Sequence, residues 1–207
     1  MSHIPDVHPR GVALIQRFES CLRRVSATRF APYRCPANVP TVGWGTIKYP
    51  GGAPVRMDDR PINQRRCDEL LAWEVDAKSR AVRRLVRVPL HPLMHAALTS
   101  FAYNCGTGAL ARSTLLKRVN AQRWADVPRE FAKWRMGGGR VLRGLERRRT
   151  AEAALFMEGV AALNAAPALE PAPVSPAAEI VIAPTLPRRK PRLRPAGPLR
   201  WLWSLFR

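Results

Sequence analysis

Within residues 10–163, which read as a globular domain made mostly of helices, one stretch stands apart: VPTVGWGTIKYPGG, residues 39–52. It alternates β-formers with glycines and predicts a short hairpin, with Gly43 and Gly45 suiting a tight turn around Trp44. The flanking segments read as helices. GVALIQRFESCL puts Val12, Ile15, Phe18 and Leu22 near one face, with Glu19 towards the helix end. DDRPINQRRC brings acids and an early proline to the start of a long helix running to about Val86, which Pro89 and Pro92 stop. LMHAALTSFAYNCG predicts a buried helix with Gly106 near its C-cap. Further helices are expected at about 113–121, 123–135 and 145–163, with the glycines at 137–139 as a loop before the last. One small hairpin among many helices makes an α+β domain.

The composition changes after Asn164. Residues 165–187 are rich in alanine and proline and contain no lysine or arginine, as expected of a stiff, extended linker. The final stretch, 188–207, is RRKPRLRPAGPLRWLWSLFR: seven basic residues, no acid, and an apolar end of Trp201, Leu202, Trp203, Leu205 and Phe206. Such a segment suits a membrane interface. The expected organisation is therefore an N-terminal arm (1–9), a folded domain (10–164), a linker (165–187) and a basic aromatic tail (188–207).

A net charge of +20 favours an anionic partner without naming one. Nucleic acid is not the expected partner, because no recognised module or base-stacking array accompanies the charge. The four cysteines, Cys21, Cys35, Cys67 and Cys105, include no C-x-x-C pair, which argues against a zinc ribbon or a redox motif. His91 and His95 are four apart, but Pro92 intervenes and no glutamate completes a metalloprotease motif, so neither metal nor cofactor is implied. Arg147, Arg148 and Arg149 are expected to form a solvated basic face. The start MSHIPDVHPRG has no apolar core of a signal peptide, and no run of 18 apolar residues occurs. These features lead us to expect a chain made as a soluble, cytoplasmic monomer.

Cleaving a glycosidic bond needs a proton donor at the leaving oxygen and usually a second anionic group. Glu19, following Phe18 near a helix end that faces the hairpin, has the partly buried position a proton donor requires. No second carboxylate accompanies the hairpin; the nearest downstream acids, Asp58 and Asp59, lie beyond its turn.

The order RFES, then YRC, then VPTVGWGT resembles the phage-type lysozymes, the endolysins of glycoside hydrolase family 24. Their pattern is a helix ending in Phe-Glu-Gly, then Tyr-x-Asp, then a Thr-Ile-Gly-Tyr-Gly hairpin. Downstream, LTSFAYNCGTGALARSTLLKRVN is similar to the family's Phe-x-x-Asn-x-Gly helix and the Ser-Thr-Leu-Leu after it. GGGRVLRGLERRRTAEAALF is similar to its Gly-Leu-x-x-Arg-Arg-x-x-Glu closing helix. The likeness covers roughly residues 10–158 and implies a mostly helical lysozyme-like fold with a small β-hairpin lobe.

By this resemblance Glu19 is the general acid, Thr41 holds a water or lines the sugar-binding face, and Cys35 stands at the aspartate position, where some relatives also have cysteine. A thiol titrates at about 8.5, and electropositive neighbours such as Arg34 and Arg29 lower that value. A Cys35 thiolate would then stabilise the transition state or act as nucleophile; a neutral thiol would leave the water to Thr41. Trp44 is expected to stack on a sugar ring, with Tyr33 and Asn104 bordering the cleft. Two departures stand out. Fifteen residues separate Glu19 from Cys35, about twice the usual number, and VSATRFA looks inserted. Ser20 replaces the usual glycine, and would be strained at positive φ.

The function implied is a muramidase that hydrolyses the β-1,4 bond between N-acetylmuramic acid and N-acetylglucosamine in peptidoglycan and lyses a host cell. The enzyme would wait in the host cytoplasm and reach the periplasm through a holin pore, its tail engaging the anionic envelope or membrane. A lytic transglycosylase is the chemical alternative, since it works with one glutamate and yields 1,6-anhydro ends. A non-catalytic, cationic, membrane-disrupting protein is the alternative from another class.

Overall fold

The computed structural model describes residues 6–19, 23–35 and 38–165. Ser20, Cys21 and the tail at 188–207 lie outside the described residues, as does the expected linker apart from Ala165.

Helix α1 (Pro9–Phe18) starts on a His8 cap with proline in its first turn, where the missing N–H would have had no helical partner. Leu14 and Ile15 turn inward, and Glu19 ends the helix with its own N–H on the Ile15 carbonyl. Before α1, Val7 is buried, the Asp6 N–H donates to Asp76, and Ser79 Oγ donates to the Asp6 carbonyl.

The small lobe is not the single hairpin that 39–52 suggests. Two-residue ladders flank it instead. β1 (Arg29–Phe30) runs antiparallel to β4 (Ile62–Asn63), pairing Phe30 with Ile62, and β2 (Tyr33–Arg34) to β3 (Pro40–Thr41), pairing Tyr33 with Thr41. Within 39–52 only the bridge Val42–Thr46 forms, and Lys48 bridges out to Pro54. The cause is local: Pro40 and Pro50 lack ladder donors, and glycines 43 and 45 break the pleat. The VSATRFA segment folds back on itself, with Arg24 bridging Phe30 and the Val25 N–H on the Arg29 carbonyl. It ends in β1, where Phe30 is buried.

Helix α2 (Gln64–Leu85) begins later than its acidic prelude suggests. Asn63 is the cap, its side chain accepting from the Arg66 N–H at 2.8 Å. Asp59 remains in the preceding loop, where it accepts from Tyr49 Oη and the Arg56 N–H. Helix α3 (Pro92–Cys105) is the buried helix expected: Met94, Ala97, Leu98, Phe101 and Ala102 have no exposure, and Gly106 at φ 88° ends it. It packs against α1, α2 and the last helix, α7 (Arg143–Ala165).

Between them, α4 (Thr107–Arg112) is a short helix that sequence periodicity did not reveal, and α5 (Thr114–Asn120) is capped by Ser113. The single helix expected at 123–135 is divided into a 3₁₀ turn, Trp124–Asp126, and α6 (Val127–Ala132). Pro128 has no N–H to continue a helix from Trp124 but fits the first turn of a new one. The glycine loop is the turn of a small hairpin, β5 (Met136–Gly137) with β6 (Arg140–Val141). Phe101 meets Phe131 and Trp134 edge-on at 5.7 and 5.1 Å, tying α3 to the α6 region.

Candidate active site

Glu19 stands at the end of α1 on the wall of a cleft of about 400 Å³, whose other lining residues include Gly45, Trp73, Glu74, Tyr103 and Asn104. Its Oε1 accepts from Arg148 Nη1 at 2.5 Å. The glutamate side chain keeps 23% of its exposure while the arginine keeps 3%, so a buried cation holds an accessible carboxylate.

Arg148 is itself fixed from behind. Glu152, fully buried one turn along α7, accepts from Arg148 Nε at 3.2 Å and from Ser100 Oγ at 2.8 Å, and its Oε2 lies 3.1 Å from Arg149 Nε. Arg149 in turn donates to Asn104 Oδ1 at 2.8 Å and to Cys105 Sγ at 3.0 Å. Hence Arg148 and Arg149 do not belong to a solvated basic face; of the three consecutive arginines only Arg147 is exposed. Two buried guanidiniums flank one buried carboxylate, whose value burial raises against the pull of both arginines, and the Arg148 guanidinium faces Glu19.

The small lobe closes the other side. Gly45 has φ 108°, and a Cβ there would lie 3.5 Å from Glu19 Oε2 and 3.7 Å from Tyr103 Oη. Tyr103 Oη donates to the Trp44 carbonyl at 3.0 Å, fastening α3 to the turn, and Trp44 Nε1 donates to Asp68 Oδ1 at 2.7 Å. Contacts of a Cβ at those distances would be ordinary; glycine is needed at position 45 for its positive φ, which carries the turn past the carboxylate.

Of the residues expected from the sequence, Glu19 and Asn104 line this cleft. Trp44 is not among the lining residues: its carbonyl accepts from Tyr103 and its indole N–H is held by Asp68. Cys35, Thr41 and Tyr33 stand on the neighbouring β2–β3 ladder and are not among the cleft's lining residues. Tyr33 directly opposes Thr41, and the Cys35 N–H donates to the Val39 carbonyl, so the register puts Tyr33, Cys35 and Thr41 on one face. Thr41 is 2% exposed, and its hydroxyl donates to the Val39 carbonyl at 2.9 Å.

The sequence reading missed Glu74. It lies across the cleft from Glu19 on α2, and burial pushes its carboxyl above the usual range. The Thr46 and Tyr103 hydroxyls and the Lys78 charge act against that shift, while the charge of Glu19 adds to it. Neither Glu74 Oε1 nor Thr46 Oγ1, both buried, completes a well-formed hydrogen bond. Burial, then the charges of Glu74 and Glu19, also raise the Tyr103 hydroxyl well above its ordinary value. The site therefore does contain a second carboxyl, but it comes from the long helix and not from the hairpin.

The phage lysozyme family model matches residues 23–152, well over half the chain. The chain belongs to the phage lysozyme family. The matched span takes in Cys35, Thr41, Arg148 and Glu152 and begins just after Glu19. The endolysin of Bacillus phage B103 is 34% identical over 74% of this chain and 55% of its own length. The SAR-endolysin of Escherichia phage Mu is 36% identical over 61% of this chain and 71% of its length. The chain thus spans only about half the length of the B103 relative. Two solved structures share the fold. The endolysin of Escherichia coli O157:H7 phage FAHEc1 superposes with a TM-score of 0.65 at 27% identity, covering 76% of this chain and 97% of that one. The muramidase domain of SpmX from Asticaccaulis excentricus gives 0.58 at 31% identity, covering 74% and 99%. The likeness to phage lysozymes thus extends through both the helical body and the small lobe.

Proposed function

We propose that the chain hydrolyses the β-1,4 bond between N-acetylmuramic acid and N-acetylglucosamine in bacterial peptidoglycan, with Glu19 as general acid. The observation that carries this reading is the Glu19–Arg148 pair at the wall of an open cleft. A rigid, buried cation fixes the carboxylate's orientation, while its exposure leaves it able to reach a leaving oxygen. In the reacting complex Glu19 carries a proton on the oxygen that Arg148 does not hold; as the bond breaks and positive charge develops on the sugar, that proton passes to the leaving oxygen and the Arg148 guanidinium stabilises the carboxylate so formed. By the family resemblance Thr41 is proposed to hold a water or line the sugar-binding face, with Cys35 in the aspartate's place as transition-state stabiliser or nucleophile; the register that puts them on one face of the β2–β3 ladder supports their acting near one another.

The biological role proposed is host-cell lysis after release from the cytoplasm through a holin pore. The basic aromatic sequence at 188–207 supports an accessory contact with the anionic envelope.

Mass spectrometry of purified peptidoglycan digested by the wild type and by Glu19→Gln tests the chemistry. Reducing muramic acid ends from the wild type, at least a hundredfold fewer from the variant, are expected when a general acid is removed. Terminal 1,6-anhydro sugars, or undiminished cleavage by Glu19→Gln, would overturn the assignment.

A further inference from the structure

No residue of the β5–β6 hairpin lines the catalytic cleft. Its two-residue turn is Gly138 and Gly139, at φ 57° and 77°, a mirror-image turn whose twist matches that of the paired strands. Gly137 opposes Arg140 and Met136 opposes Val141, so each pair shares a face and the two faces point opposite ways. The Gly137 face rests on the domain: a Cβ there would meet Leu142 Cδ1 at 2.5 Å. The Leu142 N–H, donating to the Arg135 carbonyl at 3.0 Å, ties the hairpin further. Met136 and Val141 are thereby turned into water, 54% and 45% exposed. Met136 is the most exposed large apolar side chain among the described residues.

The charge beside this apolar pair has one sign. Between Phe131 and Ala151 the sequence has a single acid, Glu146, and Arg135 holds it at 2.8 Å. Glu130 is engaged by Lys133, and Glu152 by Arg148 and Arg149. Arg140, Arg143 and Arg147 are exposed and form no ion pair among the described residues. Arg143 and Arg147 also stand one turn apart at the start of α7, where like charges repel and the positive end of the helix disfavours cations. The fold gains nothing from that placement, whereas an anionic surface would relieve it.

Apolar and cationic groups together select the partner. A stable protein interface needs about 800 Å² on each side, far more than two apolar side chains supply. A soluble polyanion would satisfy the arginines and leave Met136 and Val141 in water. A membrane of anionic phospholipid meets both needs: its phosphates take the guanidiniums, and the apolar pair enters the boundary between headgroups and acyl chains. We propose that the β5–β6 hairpin is a membrane-contact site of the folded domain, with Met136 and Val141 at the lipid interface and Arg140, Arg143 and Arg147 on lipid phosphates. This contact is separate from the one assigned to the sequence at 188–207. So few groups bind reversibly, which keeps the protein near the envelope without fixing it there.

The test is co-sedimentation of the full chain carrying Trp201→Ala and Trp203→Ala, changes that weaken the tail and leave the hairpin intact. Vesicles of phosphatidylcholine with phosphatidylglycerol are compared with vesicles of phosphatidylcholine alone. The anionic vesicles should be preferred, and the preference should shrink as salt is raised. In that background Met136→Ser with Val141→Ser should weaken binding to anionic vesicles about fivefold, while Met136→Leu with Val141→Leu should retain it. Arg140→Gln, Arg143→Gln and Arg147→Gln together should weaken it at least tenfold. Digestion of solubilised peptidoglycan by each variant should stay at the level of the background protein. Undiminished vesicle binding by the serine pair overturns lipid insertion, and undiminished binding by the three glutamines overturns the phosphate contact; either result ends the proposal. So does a background protein that ignores anionic vesicles. Vesicle binding is read without glycan, so the proposal stands or falls apart from the muramidase reading. Circular dichroism melts of each variant separate lost binding from lost folding.

Discussion

At the cleft, two carboxyl groups on opposite elements meet opposite environments. Glu19 touches a guanidinium; Glu74 faces two hydroxyls and is mostly buried. Glu74 ought therefore to leave a pH signature. Its folded-state value lies above the ordinary 4.5, so the proton it retains stabilises the fold at low pH, and that contribution is lost as pH rises through the raised value. Glu74→Gln keeps the shape without a charge to bury. Its melting temperature relative to wild type should increase from about pH 4.5 upward and level off once Glu74 has ionised in the wild type. A difference that is flat with pH would mean Glu74 ionises as it would in water. Little in the sequence reveals this residue, since one glutamate among the many charges of α2 looks like any solvated one. The same ambiguity hid Arg148 and Arg149. A run of three arginines suggests a wet surface, and the better clue was Glu152, four and three residues on, with Ser100 reaching it from another helix. Glu19 was legible because helix end, hairpin and closing helix occur in a distinctive order, information that belongs to the pattern and not to the residue.

Among the elements, helices with one apolar face or with none exposed were readable, because periodicity reports burial directly: α1, α2, α3 and α7 lie close to where spacing put them. The small lobe was less legible. Its ladders are two residues long and pair distant segments, so no local alternation announces them. The junction between lobe and body rests on Asn63, which both pairs with Arg29 at the end of β4 and caps α2. Asn63→Ala removes the acceptor for the Arg66 N–H and should cost about 1 kcal/mol, a drop of about 2–4 °C in melting temperature for a domain of this size. Asn63→Asp, which also caps, should recover most of it. If alanine and aspartate behave alike, the cap contributes nothing measurable and the β1–β4 ladder alone fixes the start of α2. The same long helix presents Trp73, Glu74 and Lys78 to the cleft, so the register set at Asn63 also sets the position of that wall.

On the scale of the whole chain, the proposed function gives catalysis and envelope contact to separate stretches of sequence. The buried hydrophobic residues run from Val7 to Val160, and α7 extends to Ala165. A chain ending at Ala165 thus retains every buried apolar group among the described residues and every residue of the cleft described above. It should digest purified peptidoglycan at the wild-type rate, within about twofold. The tail holds seven of the 35 basic residues, so the shortened chain is still strongly basic, and general attraction to anionic surfaces persists. What disappears is the tight combination of those charges with Trp201, Trp203 and Phe206. An interfacial segment of that kind binds through aromatic burial and charge together, so loss of either half should suffice. Two variants make the distinction: the chain ending at Ala165, and the full chain carrying Trp201→Ala and Trp203→Ala. Both should bind anionic lipid vesicles at least tenfold more weakly than wild type and lose killing of intact cells from outside, with peptidoglycan digestion retained. Equal vesicle binding by the full chain and the double tryptophan variant would reduce the tail to a polycation. Equal killing by all three would assign envelope contact to the basic surface of the lysozyme domain itself.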